Sequence, residues 1–327
     1  MQHYVIKRWS WAGLVATLVL TGGIIIGGGS GRADAPDTTP ETSEADSPPV
    51  TPSAEAAPAQ NFTQGMLFPY SLLDAALSGR IDQSGNVDYA ALKGNKHLEL
   101  FLQAVATADL SQFPVIDMRS TEEDPRTGRK IEKVTQDRSA ELTFLINAYN
   151  AYVIKTLADA FPISSPDDIK DLHTAKTRRI GGKDWSLAEL RADIAKREPR
   201  AAFALTDGTR SGPMLAPRAY KYSILNDLLE EAVKAFVNDP RNVELLRLED
   251  RVTLNAFFSE VNPLFQPAGN PNKFQGIKRL LAAYTRRGAE QRYFGSNDFK
   301  VVFMRPDRSL NKNESQGPIT GPGITGR

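Results

Sequence analysis

FLINAYNAYVIK, residues 144–155, is the stretch that decides the fold. Leu142, Leu145, Ile146, Tyr149, Val153 and Thr156 recur at helical spacing and predict a helix with one buried stripe. Asn147 and Asn150 fall on one side of that helix, at the edge of the stripe, because three residues turn a helix by roughly 300°. Asparagine suits a helix interior poorly, since its amide competes for backbone hydrogen bonds. Two of them in an apolar helix point to buried amides that fix neighbouring loops, or to amides lining a ligand cleft. Phe161-Pro162 ends the helix.

Helical signals dominate on both sides of this segment. Leu72, Leu73, Ala76 and Leu77 follow one helix face, and Leu98, Leu102 and Val105 follow another. Ser84-Gly85-Asn86 reads as a turn. Residues 117–137 are polar, carry Pro125 and Gly128, and read as a surface loop or hairpin insertion. Ser165-Pro166-Asp167-Asp168 has a cap, a proline and acids in helix-start order. Gly181-Gly182 marks a tight hairpin, and Ser186 with Glu189 makes a capping box after it. Residues 202–205 read as a short apolar strand. Leu225, Leu228, Leu229, Ala232, Val233, Phe236 and Val237 predict a strongly amphipathic helix. Residues 243–248 and 251–254 suggest a hairpin, 277–283 a helix, and 300–304 a closing strand. The fold class expected is α+β: a mainly helical single domain with short hairpins and a small, mostly antiparallel sheet.

The ends have other compositions. Lys7 and Arg8 precede an uncharged apolar run, residues 9–30, which reads as an export signal or a single membrane anchor. Both place the remainder outside the inner membrane, in the cell envelope or periplasm. Residues 34–61 are rich in Pro, Ala, Thr and Ser and read as a disordered linker; 312–327 read as a disordered tail. The expected organisation is therefore 1–33 signal or anchor, 34–61 linker, 62–311 domain and 312–327 tail.

Forty Lys and Arg against 39 Asp and Glu leave almost no net charge, which argues against a nucleic-acid binder. Two basic clusters, at 176–183 and 278–292, read as solvated faces. The chain has no cysteine, which excludes disulfides, thiolate metal sites and thiol nucleophiles. Its three histidines, His3, His97 and His173, are scattered, so no metal and no cofactor are expected.

A second stretch, RAAFALTDGTRSGPMLAP at 200–217, carries the remaining candidates. Asp207 is a possible nucleophile or base if its carboxyl is tuned by Thr206, Thr209 or Ser211, but Asp207-Gly208 is equally an ordinary turn pair. His173 is a candidate base and equally a helix-end residue. Asn147, Asn150, Thr209 and Trp185 are the candidate binding residues; Trp185 either anchors the hairpin to the core or walls a cleft.

Phe144 to Asn150, Gly182 with Ser186-Leu187, the block from Phe203 to Tyr220, the Asn238-Asp239-Pro240-Arg241 turn and Asp307-Arg308-Ser309-Leu310-Asn311 together resemble domain-of-unknown-function family 547, DUF547. The resemblance spans most of residues 65–311. Its usual cysteine-containing block with a nearby histidine invites comparison with papain-like or transglutaminase-like thiol enzymes. The resemblance implies a histidine at Ala202, an Asn-Cys pair at Thr206-Asp207, a second cysteine at Gly212 and a histidine near Ala192. Asn147, Tyr149 and Asn150 match, whereas the thiol and imidazole positions do not. A thiol mechanism needs a thiolate and a base. The expectation is therefore a non-catalytic domain that binds a protein partner or a cell-envelope polymer, touching the membrane only through its N-terminal segment. The alternative is a hydrolase or transferase with a relocated site around Asp207 and Asn147.

Overall fold

The computed structural model describes residues 68–124, 126–296 and 298–313. All of them fall in one structural unit, 58–327. The apolar run at 9–30 and the linker at 34–61 lie outside the described residues, as does the tail beyond 313.

The N-terminal part of the unit builds one side of the core. α1 (Tyr70–Leu77) buries Leu73, Ala76 and Leu77. The short α2 (Tyr89–Leu92) is capped by the Asp88 carboxylate, which accepts the Ala91 amide. α3 (Lys96–Thr107) is capped by Asn95, and Leu98, Phe101, Leu102 and Val105 fall on its buried face. The polar segment that follows is a hairpin, with β1 (Ile116–Glu123) paired antiparallel to β2 (Lys130–Asp137).

α4 (Ser139–Ala160) is the predicted central helix, and it is more enclosed than a single stripe. Every residue from 140 to 151 is buried. The Asp137 carboxylate accepts the Ser139 amide and hydroxyl at its N-terminus, 2.8 and 2.5 Å away. Around it pack α2, α3 and the later helix Leu187–Arg197. Phe144 meets Phe68 and Phe113 edge-on or tilted, with ring centroids 4.9 Å apart in each case. Burial of such a ring stabilises by about 1.5–3 kcal/mol.

Two sequence expectations fail next to this core. The helix start at Ser165 is realised only as one 3-10 turn, Pro166–Asp168, complete with its capping box. It stops because Ile169 is extended and Asp171 takes a left-handed φ of 55°. β3 (Arg178–Ile180) and β4 (Lys183–Trp185) form the Gly-Gly hairpin, with φ of 57° and 75° at Gly181 and Gly182. The Ser186–Glu189 capping box opens α5 (Leu187–Arg197). The expected strand at 202–205 is instead the end of a 3-10 turn, Pro199–Ala204. Pro199 at its first position and the Glu198 carboxylate accepting the Arg200 amide favour a turn there, and no strand partner lies alongside.

α6 (Leu225–Val237) separates the main core from a second, aromatic one. β5 (Val243–Leu246) and β6 (Arg251–Leu254) form the expected hairpin. α7 (Phe257–Phe265), α8 (Gln275–Tyr284) and α9 (Ala289–Ser296) follow, and β7 (Lys300–Phe303) pairs parallel to β6. Phe203 sits within 5.5 Å of Phe236 and Phe257, ring centroid to ring centroid. Helices interspersed with small, mainly antiparallel sheets make this a mixed α+β domain.

The last described residues strap three loops together. Leu310 donates to the Ser164 carbonyl, Asn311 to Gly208, and Arg210 and Ser211 donate to Ser309 and Asp307. Val87 donates to the Asn311 carbonyl at 2.8 Å, and the buried Tyr89 hydroxyl donates to the Asn311 side chain at 2.6 Å. The Ser309-Leu310-Asn311 element is thus a structural clasp.

Candidate functional site

The asparagines of α4 act as two clamps. The Asn147 amide donates to the Tyr220 carbonyl at 2.9 Å and accepts the Tyr220 amide at 2.8 Å. The Asn150 amide donates to the Ala204 carbonyl at 2.9 Å and accepts the Thr206 amide at 3.0 Å. Each side chain imitates the hydrogen-bonding edge of a strand. Their spacing on one helix side pins both ends of the segment 206–220, and each amide is engaged with backbone through both its oxygen and its nitrogen. Everything between those pins is a loop positioned by the core.

At the first pin, Asp207 makes a turn. Its Oδ1 accepts the Thr209 amide and the Thr209 hydroxyl, each at 2.8 Å. Thr206 accepts the Gly208 amide instead, and Ser211 accepts the Asp307 amide, so neither bonds the Asp207 carboxylate. Gly208 has φ of 77°, and a Cβ there would lie 2.3 Å from the Leu157 side chain. The positions that the family resemblance gives to cysteine, 207 and 212, face one another. A Cβ built on Gly212 would lie 1.9 Å from Asp207 Oδ1. The missing side chain at 212 is what leaves room for the carboxylate at 207.

Asp207 also shares an electric field with His173, Tyr149, Arg191 and Arg308. Burial, then the Arg191 charge, hold the His173 imidazole below its ordinary value; Asp207 acts in the opposite direction. Burial raises the Tyr149 phenol, with Arg191 opposing and Asp207 adding to the rise. The Tyr149 hydroxyl is fully buried without a hydrogen-bond partner among the described residues. The cations of this cluster are already paired: Arg191 lies 3.5 Å from Glu260, and Arg308 Nε lies 2.8 Å from Asp167. The structure therefore brings Asp207 and His173 into one neighbourhood but directs Asn147 elsewhere. Trp185 packs half-buried against the main core with Lys183 Nζ 3.9 Å from its ring centroid, an anchor for its hairpin.

The main cavity is elsewhere. A cleft of about 860 Å³ opens between the loop 209–220, α6 and the segment after β7. Asp207, His173, Asn147, Asn150 and Trp185 do not line it; of the sequence candidates only Thr209 does. Its apolar wall comes from Leu215, Ala216, Leu228, Ala232 and Ala235, with Met214 and Met304 beside them. Its charged wall comes from Arg210, Arg218, Arg241 and Arg305, with Glu231, Asp239 and Asp307. Arg241 grips Asp239 through both carboxylate oxygens, the closest contact being 2.6 Å, and that hydrogen bonding outweighs burial to hold the Asp239 carboxyl low. The Ser309 hydrogen bonds hold the Asp307 carboxyl low, aided by the Arg210 charge.

The first basic cluster is largely paired, whereas in the second only Lys278 is, and Arg279, Arg286, Arg287 and Arg292 are exposed. Lys176 pairs with Glu189 at 2.6 Å, Arg179 with Asp184 at 3.2 Å and Lys278 with Asp298, while Arg178 is buried against the Ala175 carbonyl. Among the described residues no group of three or more His, Asp or Glu side chains is arranged to hold a metal. No helix among them is long and apolar enough to cross a membrane.

The sequence missed the cleft because its walls come from residues far apart in the chain. One local signal exists: Pro213 and Pro217 bracket Met214, Leu215 and Ala216, a pattern that resists helix and keeps the segment extended. No curated protein and no solved structure matches the chain. The family described as "Protein of unknown function, DUF547" matches residues 133–237, which run from β2 through α6 and include both asparagine clamps and the loop they pin. Over that segment the chain matches the DUF547 family model, and with no cysteine in its 327 residues it departs from the cysteine-containing pattern that the resemblance implies.

Proposed function

We propose that this is an exported, non-catalytic DUF547-type domain that binds a protein partner or polymer at the cell envelope. The observation that carries the reading is the cleft of about 860 Å³, which is walled by apolar and arginine side chains, while the candidate catalytic groups lie outside it. The absence of cysteine supports the same reading, because the thiol chemistry implied by the family resemblance has no nucleophile here. The Oδ1 of Asp207 is engaged in a turn, which supports the same reading. The export part of the proposal rests on Lys7, Arg8 and the apolar run after them.

The test is a screen of the purified protein against ester, amide and glycoside substrates, run beside a binding screen against envelope polymers and envelope protein extracts. Binding without turnover is the expected result. A second reading, a hydrolase or transferase centred on Asp207, is favoured by the shared field of Asp207 and His173. Turnover that vanishes in Asp207→Ala but survives in Asp171→Ala would establish it in place of the first. For export, a reporter active only in the cytoplasm, fused after Gln60, should be silent.

A further inference from the structure

We propose that the cleft takes an extended acidic polypeptide, held by strand-like pairing along residues 213–216 and by Arg218 and Arg305. The proposal rests on the binding role given above and names its ligand.

Three observations converge on this class. The first is the backbone of the loop. Among the described residues, the amides of Met214, Leu215, Ala216 and Arg218 donate no hydrogen bond, and the carbonyls from 213 to 218 accept none. The flanking residues, Gly212, Ala219 and Tyr220, are all bonded. The bend at Pro217 and Arg218 limits this edge to residues 213–216, whose carbonyls and whose Met214, Leu215 and Ala216 amides are what a second extended chain can pair with. Polysaccharides lack the alternating N–H and C=O groups that match it.

The second observation is charge. Arg241 is held by Asp239, and the charge of Arg210 acts on Asp307. Arg218 and Arg305 are exposed on the cleft and form no ion pair among the described residues. Of the acids there, Asp239 is held by Arg241, whereas Glu231, on α6, and Asp307 form no ion pair among the described residues. Four guanidiniums face three carboxylates, a surplus of positive charge that favours an anionic ligand, and the guanidinium fork matches a carboxylate oxygen for oxygen. The third observation is the apolar wall. Leu228, Ala232 and Ala235 present small, helically spaced surfaces opposite the loop, and Met214 and Met304 adapt to varied side chains. A strand pointing acids towards the arginines places its alternate residues on that wall.

The test uses the full-length protein and a displayed library of random decapeptides, followed by fluorescence anisotropy on the selected peptides. Selected sequences should alternate Asp or Glu with apolar residues. Arg218→Glu with Arg305→Glu should weaken them at least about tenfold, and Glu231→Gln should strengthen them. Arg119→Glu, on the remote β1 hairpin, should change nothing. N-methylation of alternate peptide amides should weaken binding comparably, a loss that charge alone would not produce. Selected peptides without acids, or acidic peptides indifferent to both arginines or to N-methylation, overturn the proposal. If polygalacturonate binds through Arg218 and Arg305 while no peptide is selected, the ligand class falls and the binding role stands. If neither peptides nor polygalacturonate bind, the ligand class falls, and the separate screen against envelope extracts decides the binding role.

Discussion

Gly212→Ala should destabilise this protein only while Asp207 is present. The added methyl would sit 1.9 Å from Asp207 Oδ1, 2.6 Å from its Cγ and 3.0 Å from Oδ2. Relief requires the carboxylate to move by roughly 1 Å or more, since real carbon–oxygen contacts stay near or beyond 3 Å. That movement breaks the bonds from the Thr209 amide and hydroxyl to the same oxygen, both now 2.8 Å. Overpacking of this kind costs about 1–3 kcal/mol, and lost charge-assisted hydrogen bonds bring it towards the upper end. At 2–3 kcal/mol the melting temperature should drop by roughly 4–10 °C for a domain of this size. Asp207→Ala alone should cost about 1 kcal/mol, through loss of the turn bonds. In the double variant no other atom lies closer than 3.0 Å to the new methyl, so its cost should equal that of Asp207→Ala alone. The coupling measured by denaturant unfolding of the four proteins is then about 2 kcal/mol. Additive effects, or a neutral Gly212→Ala in the wild-type background, would refute the pairing of these positions.

Three other outcomes are expected. Asn147→Ala should cost about 2–4 kcal/mol in chemical denaturation, because it orphans both backbone groups of Tyr220 in the core; an unchanged midpoint would return Asn147 to the ligand-contacting role. Asn311→Ala should cost about 1–3 kcal/mol and loosen the clasp, since the buried Tyr89 hydroxyl loses its acceptor; amide exchange at Val87 and Gly208 would report it. His173 has a folded-state pKa below its ordinary 6.5, so the unfolded chain takes the proton first. Stability present above pH 6.5 should therefore decline as pH falls from there towards the lower folded value, and His173→Gln should flatten that part of the melting profile. As pH falls through the ordinary carboxylate values a separate decline should begin, because the unfolded chain takes up protons before the paired Glu141, Glu198 and Asp239, whose folded pKa values are lowered, and it should continue until these are protonated in the folded protein.

Much of the fold was legible along the chain because its signals are local. The periodicity of α4 and α6, the Gly181-Gly182 hairpin and the Ser186–Glu189 capping box depend on neighbours within a few residues, and all four stand where the spacing placed them. The structural weight of Asn147 and Asn150 was legible too, since an amide in an apolar helix must find partners. Their partners were not: Tyr220 and Ala204 lie 73 and 54 residues away. The same limit explains the errors. Apolar residues at 202–205 look alike whether they form a strand or a buried 3-10 turn, and only the lack of a neighbouring strand decides. The sequence alone determined the absence of thiol chemistry, the helical character of the core and the turn-forming character of Asp207-Gly208. Tertiary structure alone decided that Gly212 makes room for Asp207, that His173 joins them, and that Arg218 and Arg305 meet across one cleft. These are contacts between segments brought together by burial of the two apolar cores, and no local pattern encodes them.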